Sequence, residues 1–206
     1  MKRAALIVGT FNPITNAHLN LGHLAKKHLP DADIIYVPAK DSFLAGWKGM
    51  DSELILNQEE RYRLVKEAVE PMRFRVSDCE ISGESDGRTI NTVNCLKEKF
   101  GYEEIYLCMG TDKVGELEKW YKAEELVSEN KFMIVERGED SLEDVMTDFT
   151  KKYGSKFITV HSCEGYKDIS STIIRDYCRK NDMDGIRDMV PDNVYNYLKN
   201  NKEVYR

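Results

Sequence analysis

The sequence has no long hydrophobic run and no excess of basic residues, and each absence narrows the classes of protein it could be. No stretch approaches the ~20 consecutive apolar residues that a transmembrane helix needs, so we expect no membrane partner. The apolar run after Lys2 and Arg3 is also too short for a signal peptide. Lysine and arginine together number 30 against 36 aspartates and glutamates, a net charge of −6. Because nucleic-acid binding needs a clustered basic face, we expect no nucleic-acid partner.

Cysteine and histidine are few, and their spacing excludes common metal sites. The five cysteines include no Cys-x-x-Cys pair, so the sequence predicts reduced thiols in a cytoplasmic protein. Cys108 is expected to fill the core of a strand. His18, His23 and His28 are five residues apart, which does not place neighbours on one helix face as i,i+4 ligands require. We therefore expect no metal site built from the protein alone.

The order of hydrophobic patterns predicts the fold class. At 206 residues with 41% hydrophobic residues, the chain suits a single domain over residues 1–206. Apolar runs alternate with helical patterns, which is typical of βαβ units and a parallel sheet. The sequence therefore predicts an α/β fold, a Rossmann-like doubly wound parallel sheet, with residues 168–206 as a small helical C-terminal part of the same domain. The predicted strands are 4–8, 34–37, 74–76, 105–109, 132–135 and 157–160; the predicted helices are 18–28, 59–69, 91–100, 123–128, 142–152, 171–181 and 192–200.

The longest stretch without either pattern is 38–58. A loop of this length is too long for an idle connection in a compact domain. We therefore predict an irregular lid or binding loop there.

Residues 9–18 read Gly-Thr-Phe-Asn-Pro-Ile-Thr-Asn-Ala-His and directly follow the first apolar run. Gly9 lets the backbone approach a ligand without a Cβ in the way, and Thr15 suits the N-cap of the next helix. The free N–H groups and the dipole of a helix N-terminus attract anions, and His18 falls in that first turn. The segment predicts a phosphate-binding loop at the carboxyl end of a strand, where such sheets bind ligands.

Two later segments also have residues that suit the binding of a nucleotide. Ser170 and Ser171 open a helix that has Arg175 one turn in, and the planar arginine fork suits phosphate oxygens. Gly110-Thr111-Asp112 follows a hydrophobic strand, where a carboxylate can accept hydrogen bonds from ribose hydroxyls.

These motifs resemble those of a known family. The segment from Gly9 to His18 resembles the first signature of the nucleotidyltransferase superfamily, in the form of the nicotinamide/nicotinate mononucleotide adenylyltransferases. Ile-Ser-Ser-Thr-Ile-Ile-Arg at 169–175 is similar to their second signature, while Ala17 stands where a glycine is usual. The resemblance implies an enzyme of NAD biosynthesis that transfers AMP from ATP to the 5′-phosphate of nicotinate or nicotinamide mononucleotide and releases pyrophosphate.

The resemblance also implies roles for individual residues. His18 and Arg175 would be catalytic. The pyridine mononucleotide would be bound by Lys48, with Lys40 as the alternative lysine, and by Arg88, Thr89 and Trp120. Arg88 stands where the family has a tyrosine, which leaves the choice between acid and amide open. The residues implied to bind ATP are Gly9, Thr10, Phe11, Thr15, His18, Gly110, Asp112, Arg137, Ile169, Ser170, Ser171 and Arg175.

The implied reaction requires mainly that the two substrates are held in line and that the charge on their phosphates is stabilised. A phosphate monoester has a second pKa near ~6 and is largely dianionic at neutral pH, so no general base is needed. Catalysis is then positioning and electrostatic stabilisation, with Mg²⁺ as a cofactor carried on the ATP phosphates.

Two other functions stay open at this point. A pantetheine-phosphate adenylyltransferase has both types of motif. A non-catalytic nucleotide-binding sensor is suggested by Ala17, whose methyl group would crowd the phosphates, although the presence of His18 and Arg175 together argues against it. The sequence leaves the oligomeric state undetermined.

Overall fold

The computed structural model describes residues 1–47, 56–138, 141–154, 157–161 and 165–205. Each predicted strand is found at its expected place. The strands are β1 (Arg3–Gly9), β2 (Asp33–Pro38), β3 (Arg75–Val76), β4 (Glu104–Gly110), β5 (Lys131–Val135) and β6 (Phe157–Val160).

The strands form one parallel sheet in the order β3-β2-β1-β4-β5-β6. The order reverses between β1 and β4, which lie side by side, with Ala4 opposite Ile105. A crevice at such a reversal is where doubly wound sheets bind ligands. The prediction of a Rossmann-like doubly wound sheet is confirmed.

Helices connect the strands, and those that the sequence predicts are all present. Within the described residues they are α1 (Asn16–His28), α2 (Asp41–Trp47), α3 (Gln58–Val69), α4 (Thr89–Phe100), α5 (Thr111–Val114), α6 (Ala123–Glu129), α7 (Leu142–Tyr153), α8 (Ser171–Arg179) and α9 (Asp192–Asn200).

The prediction of irregular structure throughout 38–58 was wrong, because α2 occupies part of that stretch. A seven-residue helix has little stability of its own, so a local pattern does not reveal it. Contacts distant in sequence stabilise it: the Asp41 N–H donates to Gln58 Oε1, and the Gln58 N–H donates to Asp41 Oδ2, both over 3.1 Å. Residues 48–55 lie outside the described part of the chain.

Each face of the sheet has its own apolar core. Ala5 and Ile7 of β1 point to one core, and Ala4 and Leu6 point to the other, as the alternation of side chains along a strand requires. Cys108 of β4 is 3% exposed in the first core, which confirms its prediction as a core residue.

The C-terminal helices belong to the first of these cores. Ile174 and Cys178 of α8, together with Val194 of α9, are buried in the same cluster as Ala5 and Ile7. This shared core supports one domain over 1–206, which stays a prediction. No helix in the described ranges combines the length and the apolar character that crossing a membrane requires.

Candidate active site

The loop from β1 to α1 lies at the reversal of strand order. Gly9 ends β1, and a Cβ at this position would lie 3.1 Å from the ring of Phe11. The glycine therefore makes room for that ring, a packing reason that the sequence does not reveal. Phe11 itself has a φ of 51°, the left-handed region that residues with a side chain rarely adopt. Such strain is concentrated at ligand sites.

His18 is fixed by the residue that begins its helix. Thr15 is the N-cap of α1, its N–H donates to His18 Nδ1 over 3.1 Å, and its Oγ1 lies 2.8 Å from the same nitrogen. A ring nitrogen that accepts from a backbone N–H carries no proton, so the proton of the neutral ring is on Nε2. Desolvation, with a smaller effect from the Arg137 charge, lowers the pKa of His18 to about 3. The half-buried His18 is thus a neutral donor at neutral pH.

The carbonyl of His18 is also held. The hydroxyl of Tyr36 donates to it over 2.9 Å, and a Cβ at Gly22 would lie only 2.2 Å from that hydroxyl oxygen. One N–H group of the first turn of α1 is not available to an anion, because the Asn16 N–H donates to the Met189 carbonyl over 2.9 Å.

The second motif contacts the first directly. Ser170 is the N-cap of α8, and its Oγ accepts from the Ile173 N–H. The hydroxyl of Ser171 donates to the Pro13 carbonyl over 2.9 Å, and Arg175 Nη1 donates to the Asn12 carbonyl over 2.8 Å. The two motifs therefore form one constellation, in which His18 and Arg175 belong to helix N-termini that meet at the loop. Desolvation lowers the pKa of the half-buried Arg175, and the side chain stays charged.

The ends of β4 and β5 complete this side of the site. Thr111 Oγ1 donates to the Arg137 carbonyl and accepts from the Arg137 N–H, while Arg137 Nη2 donates to the Ile169 carbonyl over 3.2 Å. A Cβ at Gly110 would lie 2.4 Å from Asp112 Oδ1, so glycine is needed for this packing. Asp112 Oδ1 is buried and has no hydrogen-bond partner within the described residues, which makes it an available acceptor for a ligand hydroxyl.

The residues predicted for the pyridine ring form a second group. Arg88 precedes α4, pairs with Asp86 over 3.3 Å and lies 4.3 Å from the centre of the Tyr121 ring. Thr89 begins α4. The half-buried Trp120 packs against the core next to Tyr121, which is 45% exposed. The structure thus brings Arg88 to Tyr121, the residue that follows Trp120 in the chain.

Two lysines, Lys40 and Lys48, are predicted as candidates to bind the mononucleotide. Lys40 Nζ is 3.4 Å from the Ser85 carbonyl, in the loop that leads to Arg88. Lys48, the other candidate, lies outside the described residues. In the described ranges no three His, Cys, Asp or Glu side chains are grouped so that they could hold a metal ion.

Sequence reasoning missed two buried side chains behind the loop. Arg61 of α3 is fully buried and donates to the Thr10 carbonyl over 2.7 Å. Tyr205 is 1% exposed and donates to Asn12 Oδ1 over 3.0 Å. Arg61 could have been found, because it shares helical spacing with Leu64, Val65 and Ala68, all buried; Tyr205 gives no comparable signal.

The doubly wound sheet, with two helix N-termini, a neutral histidine and arginines at the reversal of strand order, defines an α/β nucleotide-binding enzyme. The chain belongs to the cytidylyltransferase-like family, whose sequence profile matches residues 6–177, and within it to the nicotinate-nucleotide adenylyltransferases that it resembles along its whole length. The prediction of a nucleotidyltransferase is confirmed.

Two relatives illustrate that likeness. The chain is 32% identical to the probable nicotinate-nucleotide adenylyltransferase of Clostridium acetobutylicum, with 98% of each chain covered. It is 31% identical to the protein of the same name from Clostridium beijerinckii, with 100% of each covered. Among solved structures, the nicotinic acid mononucleotide adenylyltransferase of Plasmodium falciparum complexed with NaAD has a TM-score of 0.77 at 21% identity, covering 100% of this chain and 99% of that one. At that identity the likeness establishes the fold.

Proposed function

We propose that this chain joins ATP and nicotinate mononucleotide to form the dinucleotide of NAD biosynthesis. An oxygen of the mononucleotide 5′-phosphate attacks the α-phosphorus of ATP, a new P–O bond forms, and the bond to the β-phosphate bridge breaks with release of pyrophosphate. The names of the relatives support this substrate pair. The same proposal places the reaction in the cytoplasm, where ATP is supplied.

The observation that carries the proposal is the meeting of His18 and Arg175 at one loop. The Nε2–H of a neutral His18 can donate to a phosphate oxygen as charge develops, without taking part in proton transfer. Arg175 donates to the Asn12 carbonyl and to Thr172 Oγ1, which holds the guanidinium beside the loop and leaves further N–H groups for the triphosphate. The donors are in place before the reaction, the arrangement that most lowers the free energy of a charged transition state.

The remaining residues divide between the two substrates. Asp112, with its unpartnered oxygen, is assigned to the ribose of ATP, and Arg137 to the nucleotide side of the same edge. Trp120 is assigned to stacking on the pyridine ring, and Arg88 to the ring substituent. We propose that magnesium would be bound through the ATP phosphates and not by a cage of protein side chains, and that it would supply neutralisation of part of the phosphate charge.

The test is pyrophosphate release from ATP and magnesium, measured with three acceptors in turn: nicotinate mononucleotide, nicotinamide mononucleotide and phosphopantetheine. We expect the highest kcat/KM with nicotinate mononucleotide and its dinucleotide as the product by mass spectrometry. Turnover with phosphopantetheine alone would replace this function by the pantetheine reaction. ATP binding without turnover on any acceptor would make the chain a nucleotide sensor.

A further inference from the structure

A buried arginine joins three separate segments behind the phosphate loop. Arg61 is 0% exposed. Its Nε donates to the Leu56 carbonyl over 2.9 Å, Nη1 to the Thr10 carbonyl over 2.7 Å, and Nη2 to the Ala39 carbonyl over 2.6 Å. Nη2 also lies 2.6 Å from Asp41 Oδ1. Thr10 belongs to the phosphate loop, and Ala39 follows β2.

Burial of this charge has to be offset by those acceptors. Removing a guanidinium from water is strongly unfavourable unless its donors are paired. Its one carboxylate partner in the described residues, Asp41, has a side chain that is 46% exposed, so the three carbonyls do most of the pairing. Replacing Arg61 by an apolar side chain would take the donor away from all three carbonyls, which is strongly destabilising whatever the role of the arginine, so an informative variant has to keep the positive charge.

The bond to Thr10 fixes the direction of the next N–H. The Thr10–Phe11 peptide is trans, so its C=O and N–H point in opposite directions. Because the carbonyl points at Arg61 inside the core, the Phe11 N–H points away from it. No acceptor for the Phe11 N–H is found among the described residues. Ala39 shows the same geometry: its carbonyl accepts from Arg61, so the Lys40 N–H on the other side of that trans peptide points away from Arg61.

We propose that Arg61 is a positioning residue for nucleotidyl transfer, which holds the Thr10–Phe11 peptide so that the Phe11 N–H donates to the ATP phosphates. This role rests on the proposed function. The same guanidinium keeps the phosphate loop in register with the segment after β2, because Thr10 and Ala39 are bound to neighbouring nitrogens of one rigid plane. Arg61 touches neither substrate.

Arg61→Lys is the first test, because lysine keeps the charge and loses the fork. Arg63→Lys is its matched control: it makes the same change on the same helix at an exposed position paired with Glu67. We expect Arg61→Lys to raise both KM and calorimetric Kd for ATP with magnesium by about 10-fold or more, since small misplacements of binding groups are costly. KM for the mononucleotide should change less, and Arg63→Lys should match the wild type.

If Arg61 served only to stabilise the fold, the result would be different. Arg61→Lys would then lower Tm and leave fewer molecules folded, but the molecules that do fold would bind ATP with the wild-type Kd. That result would overturn the proposal. Hydrogen exchange of the folded variant adds a local readout: we expect faster exchange in residues 9–15 and wild-type exchange in β4, whereas uniform acceleration would count against a positioning role.

A second variant does not depend on how well Arg61→Lys folds. Nonsense suppression can install phenyllactic acid in place of Phe11, which changes the Phe11 N–H to an ester oxygen and leaves the side chain intact. We expect Kd for ATP to rise about 10-fold or more, and an unchanged Kd would overturn the proposal. ATP binding is measured without a mononucleotide, so failure of the proposed function would appear as absent turnover in the wild type and not as an unchanged Kd.

Discussion

The hydroxyl of Tyr205 donates a hydrogen bond to Oδ1 of Asn12 over 3.0 Å, across a sequence separation of 193 residues. Asn12 is 1% exposed, and its Oδ1 also accepts from the Leu56 N–H. Its carbonyl accepts from Arg175. The C-terminal segment is thereby connected through Asn12 to the loop between β1 and α1.

Tyr205→Phe should weaken this connection without changing the packing. We expect a loss of about 1 kcal/mol in the free energy of unfolding, the usual contribution of one hydrogen bond, and a several-fold higher KM for ATP. Tyr102→Phe is the control, because the Tyr102 hydroxyl is bound to Asp33 at the opposite end of the sheet. It should lose similar stability and keep wild-type kinetics. Equal kinetic effects in both variants would contradict a specific connection.

His18→Asn separates the two roles of the imidazole. Asparagine can still accept from the Thr15 N–H, as Nδ1 does, but it has no donor at the position of Nε2. We expect kcat to fall on the order of 10²–10³-fold, the usual effect of removing one preorganised donor, with Tm near that of the wild type. His18→Ala should lose both the rate and the helix-capping contact. Wild-type turnover of His18→Asn at saturating substrates would make His18 structural.

The low pKa of His18 also predicts an effect of acid on stability. The folded-state pKa is about 3 against 6.5 for the free group, so the unfolded chain takes up a proton between these values and the folded chain does not. The contribution of His18 to stability is complete above pH 6.5 and declines as the pH falls toward 3. Denaturant titrations at pH 4.5 and 7.5 should therefore show a smaller acid loss for His18→Asn than for the wild type.

Arg175 is expected to contribute more to the binding of ATP than to the binding of the mononucleotide. Arg175→Ala is expected to raise KM for ATP more than KM for the mononucleotide, since its helix begins at the loop assigned to the triphosphate. Arg175→Lys should restore part of the loss, because it keeps the charge without the fork. Arg179→Ala, an exposed arginine on the same helix paired with Asp176, is the control. Equal loss for both substrates would remove Arg175 from the triphosphate site.

Glu80 predicts a pH dependence near neutrality. Desolvation raises its pKa from 4.5 to about 7, although Thr92 Oγ1 donates to it. The folded state therefore holds the proton more tightly than the unfolded state. This contribution is complete below pH 4.5 and is lost as the pH rises through about 7. Glu80→Gln should remove that fall in denaturant titrations at pH 5 and 8, whereas exposed Glu84→Gln should keep it. A fall that persists in Glu80→Gln would have to come from another group.

The sequence predicts those parts of the fold that depend on neighbouring residues. The apolar run of β1 and the turn and capping residues of the Gly9–Thr15 loop can each be recognised within a few consecutive residues. Helix α2 does not follow from its local pattern, because its first residue, Asp41, is held by Gln58. Tyr205 does not either, because its contact is with Asn12, near the other end of the chain. The role of Gly9 also depends on a tertiary contact, since the ring that occupies its missing side-chain space is that of Phe11.

Arg88 is expected to set the preference between acid and amide. Its guanidinium is shared between Asp86 and the ring of Tyr121, the residue after Trp120. The carboxylate of a nicotinate ring stacked on Trp120 is therefore expected to compete with Asp86 for it. Arg88→Ala should lower the ratio of kcat/KM for nicotinate over nicotinamide mononucleotide by about 10-fold or more, because hydrogen bonds between charged groups contribute roughly 1.5–3 kcal/mol. Asp86→Asn should move the ratio the other way, since it removes the competing charge and keeps an acceptor for the Arg88 N–H. A ratio unmoved by both changes would place Arg88 outside the pocket and leave the choice to the backbone and Thr89.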